Sequence, residues 1–242
     1  MALPALPPGM RRPLRILGTV LIAAGVLTLA WAFVVWKWQD PFTALYTKWK
    51  QHQLRSQYEQ RVRAFPPPPP GDSLAATRRS IARAAERYRA GSRRGQAIGR
   101  IRVPRMGLNM ILVNGTDHDT LKTGPGRDQR TYMPGENRLV YIAGHRTTYL
   151  APFSKIDSLR PGDRVTLEVP YGTFVYSVTG HRIVKATDLS VLKSPRHELL
   201  ELQACHPRFF ASHRYIAYAK LVRVEPRGGT PYKPISAQAS SR

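Results

Sequence analysis

The chain has 242 residues, with 38 Lys and Arg against 15 Asp and Glu, a formal charge of +23 and a single cysteine. One thiol cannot build a disulfide framework, which excludes a small cross-linked scaffold. The charge suits anionic lipid, anionic wall polymers or nucleic acid. Nucleic acid is set aside because the arginines from Arg78 to Arg105 scatter through a linker-like stretch with no aromatic interleaving.

In chain order, Ile16 to Trp36 contains no charged residue and is dominated by Leu, Val, Ala, Ile and Phe. As a helix this run is about 31 Å long, the hydrocarbon thickness of a bilayer. It is too long for a signal-peptide core, and no small-residue cleavage site follows it. Arg11, Arg12 and Arg15 precede it, and Trp31, Trp36 and Trp38 gather at its far end as an aromatic belt. The expectation is a single-pass anchor over 16–36 in contact with membrane lipid. Residues 1–15 are then cytoplasmic, and everything after Trp38 is extracytoplasmic. A buried core helix is the plainer alternative.

Residues 37–95 read as a stalk. Residues 40–65 are polar and helix-permissive, and Pro66 to Pro70 form a polyproline run expected to act as a stiff spacer of roughly 15 Å. Residues 73–90 have the apolar spacing of an amphipathic helix, broken by Gly91 to Gly95. This stalk is expected to lift the following domain off the membrane and to add no catalytic group.

From Gln96 the pattern changes to short strands between turn residues. They are Ile98 to Val103, Asn109 to Val113, Leu139 to Ala143, Arg164 to Val169, Thr173 to Val178, His181 to Lys185, Leu199 to Cys205 and Tyr215 to Val224. Leu139 to Ala143 is nearly all apolar and reads as a central strand. Many short strands at this spacing indicate an all-β barrel or sandwich over 96–226. The Gly-, Ser- and Pro-rich tail, 227–242, reads as disordered.

Cys205 ends a strand, and Pro207 stops that strand two residues later. A thiol there can meet solvent as a nucleophile; it can equally be a small buried hydrophobe. A nucleophilic thiol needs a histidine partner, and seven are present. His145 lies where the strand 139–143 emerges, beside Gly144 and ahead of a polar loop, a placement that mirrors Cys205. His206 is adjacent to Cys205 and points to the opposite face of an extended chain. His213 is near, His181 begins a strand, and His52, His118 and His197 lie in polar stretches. Arg214 opens the last strand; antiparallel pairing with the strand of Cys205 places it near the thiol, although it is also one arginine among many.

These residues carry a resemblance. The segment from Cys205-His206-Pro207 to His213-Arg214 resembles the sortase signature, in which a proline lies two residues after the cysteine and an arginine lies on the following strand. Tyr141-Ile142-Ala143-Gly144-His145-Arg146 resembles the family's histidine motif. Together with Thr116-Asp117, Gly124-Pro125-Gly126, Met133-Pro134-Gly135-Glu136 and Leu159-Arg160-Pro161-Gly162-Asp163, the set resembles class E sortases of high-GC Gram-positive bacteria over residues 96–226.

The resemblance implies a closed eight-stranded barrel with short helices. It implies Cys205 as nucleophile, His145 as general acid and Arg214 as stabiliser of the substrate carbonyl and oxyanion. It further implies cleavage of an LAxTG- or LPxTG-like sorting signal on secreted proteins, a thioacyl intermediate, and transfer to an amine of a cell-wall precursor or pilin. No cofactor is implied, and no carboxylate cluster of calcium-loop type stands out. Where the family has Thr before the cysteine this chain has Ala204, a departure that bears on substrate preference. Two other readings remain. An L,D-transpeptidase would carry His and Gly just before the cysteine, where this chain has Gln203-Ala204. A non-enzymatic membrane-tethered protein could bind anionic wall polymers with Cys205 as filler.

Overall fold

The computed structural model describes residues 8–38 and 41–234, with side chains described over 12–34 and 43–234. Residues up to Pro41 form one compact unit and those from Phe42 form another. The first unit contains α1 (Pro8–Trp38), whose stretch Arg12–Val34 is long and apolar enough to cross a membrane and is nowhere buried by protein. This stretch overlaps the expected span 16–36 but begins earlier. Its two threonines satisfy themselves: Thr19 and Thr28 donate to the carbonyls four residues back, Arg15 O (2.9 Å) and Ala24 O (2.8 Å). The side chains of Arg11, Trp36 and Trp38, and so most of the expected aromatic belt, lie outside the described residues.

In the second unit, α2 (Pro41–Ala64) and α3 (Leu74–Ala90) precede a closed barrel. Its strands are β1 (Ala97–Val103), β2 (Leu108–Asn114), β3 (Gly126–Arg127), β4 (Leu139–Ala143), β5 (Arg164–Val169), β6 (Gly172–Lys185), β7 (Leu199–His206) and β8 (His213–Pro226). A short helix α4 (His118–Leu121) sits between β2 and β3. The ring runs β1-β2-β3-β4-β7-β8-β6-β5. Only the β2–β3 and β4–β7 pairs are parallel.

The alternation along β4 builds two layers. Val140 and Ile142 point into the main core, whereas Leu139, Tyr141 and Ala143 join Val184 and Ile216 in a second cluster outside the barrel wall.

The expected strands differ from the observed ones in two places. Gly180 does not separate two strands: it lies in open space, and β6 runs through it with an irregularity between Val178 and Gly180. β3 was not anticipated, because two residues carry no periodicity. It exists because Gly126 lets the backbones meet: a Cβ there would lie 2.0 Å from Gly115 O.

Residues 43–95 are not a free-standing stalk. α3 is capped by Ser73, whose side chain accepts from Ala76 N (3.2 Å), and it buries Ile81, Ala84, Ala85 and Tyr88 in the main core. Burial of Ile81 and Tyr88 contributes about 1.5–3 kcal/mol each. α2 lays Leu54, Tyr58 and Val62 over Ala97, Ile111 and Val113.

The proline run is not a spacer either. It joins two helices packed on the same barrel, held by Phe65 against Tyr88 (5.1 Å between ring centres) and by Ser80 donating to Pro69 O (2.8 Å). The composition of the tail misled in the same way. Tyr232 exchanges two 2.9 Å backbone hydrogen bonds with Val224 and packs on the core, while Arg227 donates to the carbonyls of Val62 and Phe65. Residues 235–242 lie outside the described residues.

Candidate active site

Three neighbouring strands bring the expected residues together. In the β7–β8 ladder Cys205 is the direct partner of Arg214. In the parallel β4–β7 pair Ala143 stands beside Gln203, and Gly144 N donates to Gln203 O (3.0 Å), so the pairing continues past β4. His145 follows Gly144 directly, where the chain leaves the strand. All three side chains line one groove on the outer face of the barrel, with Tyr141, Ala143 and Gln203 as its floor. Thr116, Leu121, Asp128 and Arg130 line it from the β3 side, and Asp188, Leu189, Val191 and Leu192 from the β6 side.

Gly144 is a steric requirement. A Cβ there would lie 2.9 Å from the Phe153 ring, and Phe153 N donates to His145 O (3.0 Å), which folds the loop back on itself. The turn passes through three consecutive non-glycine residues of positive φ, Tyr149 (53°), Leu150 (62°) and Ala151 (39°). The Tyr149 ring packs on the imidazole of His145 at 5.1 Å between centres. Nε2 of His145 is buried and has no hydrogen-bond partner among the described residues. Burial, and then the charges of His118 and Lys122, hold the His145 pKa below its ordinary value.

Arg214 donates through Nη1 to the carbonyls of Ala211 (2.6 Å) and His213 (2.9 Å), which fixes its guanidinium at the mouth of the β7–β8 loop. Asp128 is buried and holds Arg130 in a two-point pair, Nη2 to Oδ2 at 2.7 Å and Nε to Oδ1 at 3.0 Å. Glu201 shares the face of Cys205 and stands between its register partners Tyr141 and Tyr218. It is buried, its Oε2 has no partner among the described residues, and burial pushes its pKa up to about 7.

The remaining histidines are placed differently. Nδ1 of His206 lies 3.0 Å from Nη1 of Arg146 and accepts from it, since a guanidinium only donates. His213 pairs with Ser212 Oγ (3.0 Å), and His181 stacks on Tyr215 (4.9 Å). His118 is exposed as expected, yet close enough to His145 to affect it. Ala204 is fully buried in the main core, so the departure from Thr changes the barrel interior and not the groove.

Arg146, the last residue of the motif around His145, has contacts that its sequence position does not announce. Its side chain is 3 % exposed; it pairs with Asp157 (2.6 Å) and donates to the carbonyl of Cys205 (3.3 Å). Nothing marks it among so many arginines except its place directly after His145. Among the described residues no group of three or more His, Cys, Asp or Glu is arranged to hold a metal.

A thiol, an imidazole and a guanidinium line one groove of a closed barrel, and these are the kinds of group that acyl transfer through a cysteine uses. The Sortase domain family matches residues 101–222, half of the chain. The chain is 35 % identical over 133 residues to Sortase D of Bacillus subtilis, a match covering 53 % of this chain and 65 % of that relative, just under two thirds. It is 30 % identical to sortase E of Streptomyces avermitilis, with a TM-score of 0.50 over 60 % of this chain and 99 % of that one. The fold alone is shared with a Clostridium perfringens Sortase D5 transpeptidase, at 22 % identity and a TM-score of 0.57 over 72 % of this chain and 98 % of that one. The chain belongs to the sortase family. Proteins named sortase D and sortase E both stand among its relatives, so the matches establish the family and not the class.

Proposed function

We propose that this chain is a membrane-anchored cysteine transpeptidase acting on sorting signals of the LAxTG or LPxTG kind. The observation that carries the reading is the register of β7 against β8, which sets Arg214 directly opposite Cys205 in the groove that also receives His145. The thiolate of Cys205 attacks the carbonyl carbon of the signal's Thr, and Arg214 donates to the oxyanion that forms. The Thr–Gly bond then breaks, the new C–S bond remains as a thioester, and the imidazolium of His145 gives its proton to the departing amine. An amine of a cell-wall precursor or pilin attacks the thioester, loses its proton to the now neutral His145, and expels the thiolate.

In this reading α1 spans the membrane with the residues before it inside, so residues from α2 onward are extracytoplasmic. Residues 101–222 carry the chemistry. The test is mass spectrometry of the protein mixed with LAxTG and LPxTG peptides. A mass increase on Cys205 equal to the acyl fragment, released by an added amine, is the expected result. Intact peptide and an unmodified thiol under both conditions would refute it.

A further inference from the structure

The polar stripe of α2 points at the loops around His145. Thr43, Thr47 and Gln51 recur every four residues and so share one face of the helix. Thr43 Oγ1 accepts from the backbone N of Tyr149 (3.3 Å), the residue whose ring packs on His145. Thr47 is fully buried, and its hydroxyl lies 2.9 Å from the carbonyl of Lys122.

Gln51 is held at three points. Its Nε2 donates to Thr123 O (2.8 Å) and Ile111 O (3.0 Å), while its Oε1 accepts from Ile111 N (2.7 Å). The amide thereby behaves as one more residue of strand beside β2. It lies so close to the following turn that a Cβ on Gly124 would be 2.4 Å from Nε2. Each of the three side chains reaches a segment near His145: Tyr149, Lys122 and Thr123 in turn. Thr43 meets the left-handed turn 149–151, which needs outside support to persist. Thr47 and Gln51 meet Lys122 and Thr123, directly after α4, and the charges of Lys122 and of His118 in α4 act on the imidazole.

We propose that Thr43, Thr47 and Gln51 are positioning residues for His145. The first helix after the membrane segment fixes where the imidazole sits relative to Cys205. The proposal rests on the reading of His145 as the acid, and it gives α2 a catalytic consequence that a spacer would not have.

The test uses the full chain in detergent, with peptide cleavage followed across pH and stability followed by circular dichroism. Thr47→Val and Gln51→Leu should lower kcat by about 10- to 100-fold, the cost of a misplaced catalytic group, with KM nearly unchanged. Both should shift the acid limb of the pH profile, and Thr47→Ser should restore the wild-type profile. If either core-facing variant fails to fold, Thr43→Val, at the partly exposed end of the stripe, is expected to show the same split of kcat from KM. Folded variants with wild-type kcat and pH profile would overturn the proposal. Wild-type activity in His145→Ala would instead overturn the reading on which it rests, so the two failures are distinguishable.

Discussion

Arg146 donates to the backbone carbonyl of Cys205 across a 3.3 Å hydrogen bond. The residue after the candidate acid thus reaches over to hold the strand of the candidate nucleophile. The same nitrogen, Nη1, reaches Nδ1 of His206, and Nη2 pairs with Asp157 at 2.6 Å, so one buried guanidinium ties its own loop to two other segments of chain.

Removing it should therefore be costly. Arg146→Ala leaves a carbonyl, a carboxylate and an imidazole nitrogen without their donor. A loss of about 2–3 kcal/mol is expected, the scale of a broken charge-assisted hydrogen bond. The measure is the urea midpoint at unchanged m-value. Arg146→Lys should recover little of it, because an ammonium cannot supply the planar fork.

A mutation series separates the three groups of the groove. Cys205→Ala is expected to abolish cleavage and thioester formation. His145→Ala should cost about 10²–10⁴-fold in kcat, the usual contribution of a general acid. Arg214→Lys should cost about 2–4 kcal/mol of transition-state stabilisation, as for a lost oxyanion donor. His213→Ala, which removes an imidazole paired with Ser212 Oγ, should keep most of the rate. Equal damage from His213→Ala and His145→Ala, with folding intact, would mean that the wrong histidine had been assigned.

The pH profile should be bell-shaped, since attack needs thiolate and imidazolium together. Burial and the charges of His118 and Lys122 disfavour the imidazolium of His145, so the acid limb should fall below the ordinary histidine range. Lys122→Gln removes one of those cations. The imidazolium is then easier to form, and the acid limb should move upward; movement downward would show that another group sets that limb.

Glu201 predicts the sign of a stability effect. Its folded pKa is raised to about 7 by burial, from an ordinary value of 4.5, so the folded state binds more protons than the unfolded between those values. The contribution is therefore full at low pH and is lost as pH rises towards 7. Glu201→Gln should raise the thermal midpoint at pH 8 and leave it nearly unchanged at pH 4. Equal midpoints of the two proteins at both pH values would show that the carboxyl is solvated.

Truncation tests the helices. A chain of residues 43–234 should fold, because it keeps α2 and α3. A chain of 96–234 should not, since it loses Ile81, Ala84, Ala85 and Tyr88 from the main core. The lost burial of Ile81 and Tyr88 alone is about 3–6 kcal/mol, against a typical total stability of 5–15 kcal/mol. A cooperative melt of the shorter chain at an unchanged temperature would contradict this.

What was readable in the sequence follows a physical line. β4 announces itself because five apolar residues in a row have to be buried, and Cys205, His145 and Arg214 could be nominated because each sits at a strand end. β3 left no trace, because its pairing depends on the missing side chain of Gly126 and not on any pattern. The role of Gln51 was invisible for a related reason. A glutamine on a polar helix looks solvated until the strand it borders is known, and its three partners lie 60 or more positions away. The proline run and the tail look extended or disordered by composition. They are ordered because Phe65, Tyr88, Tyr171 and Tyr232 give them apolar surface to lie on.

The ring of strands is closed, and Gln51 pairs with Ile111 on the edge of β2 next to the two residues that β3 covers. β7, the strand of Cys205, is paired with β4 over Leu199–Gln203 and with β8 over Leu199–His206, so along Leu199–Gln203 it offers an incoming extended peptide no vacant ladder to join. Recognition by strand addition, which reads main chain and tolerates many side chains, is closed along that stretch of β7. A peptide lying in the groove has to be selected through its side chains, by surfaces such as Tyr141, Gln203 and Leu192. Substitutions there should change which pentapeptide is accepted while leaving the chemistry at Cys205 intact.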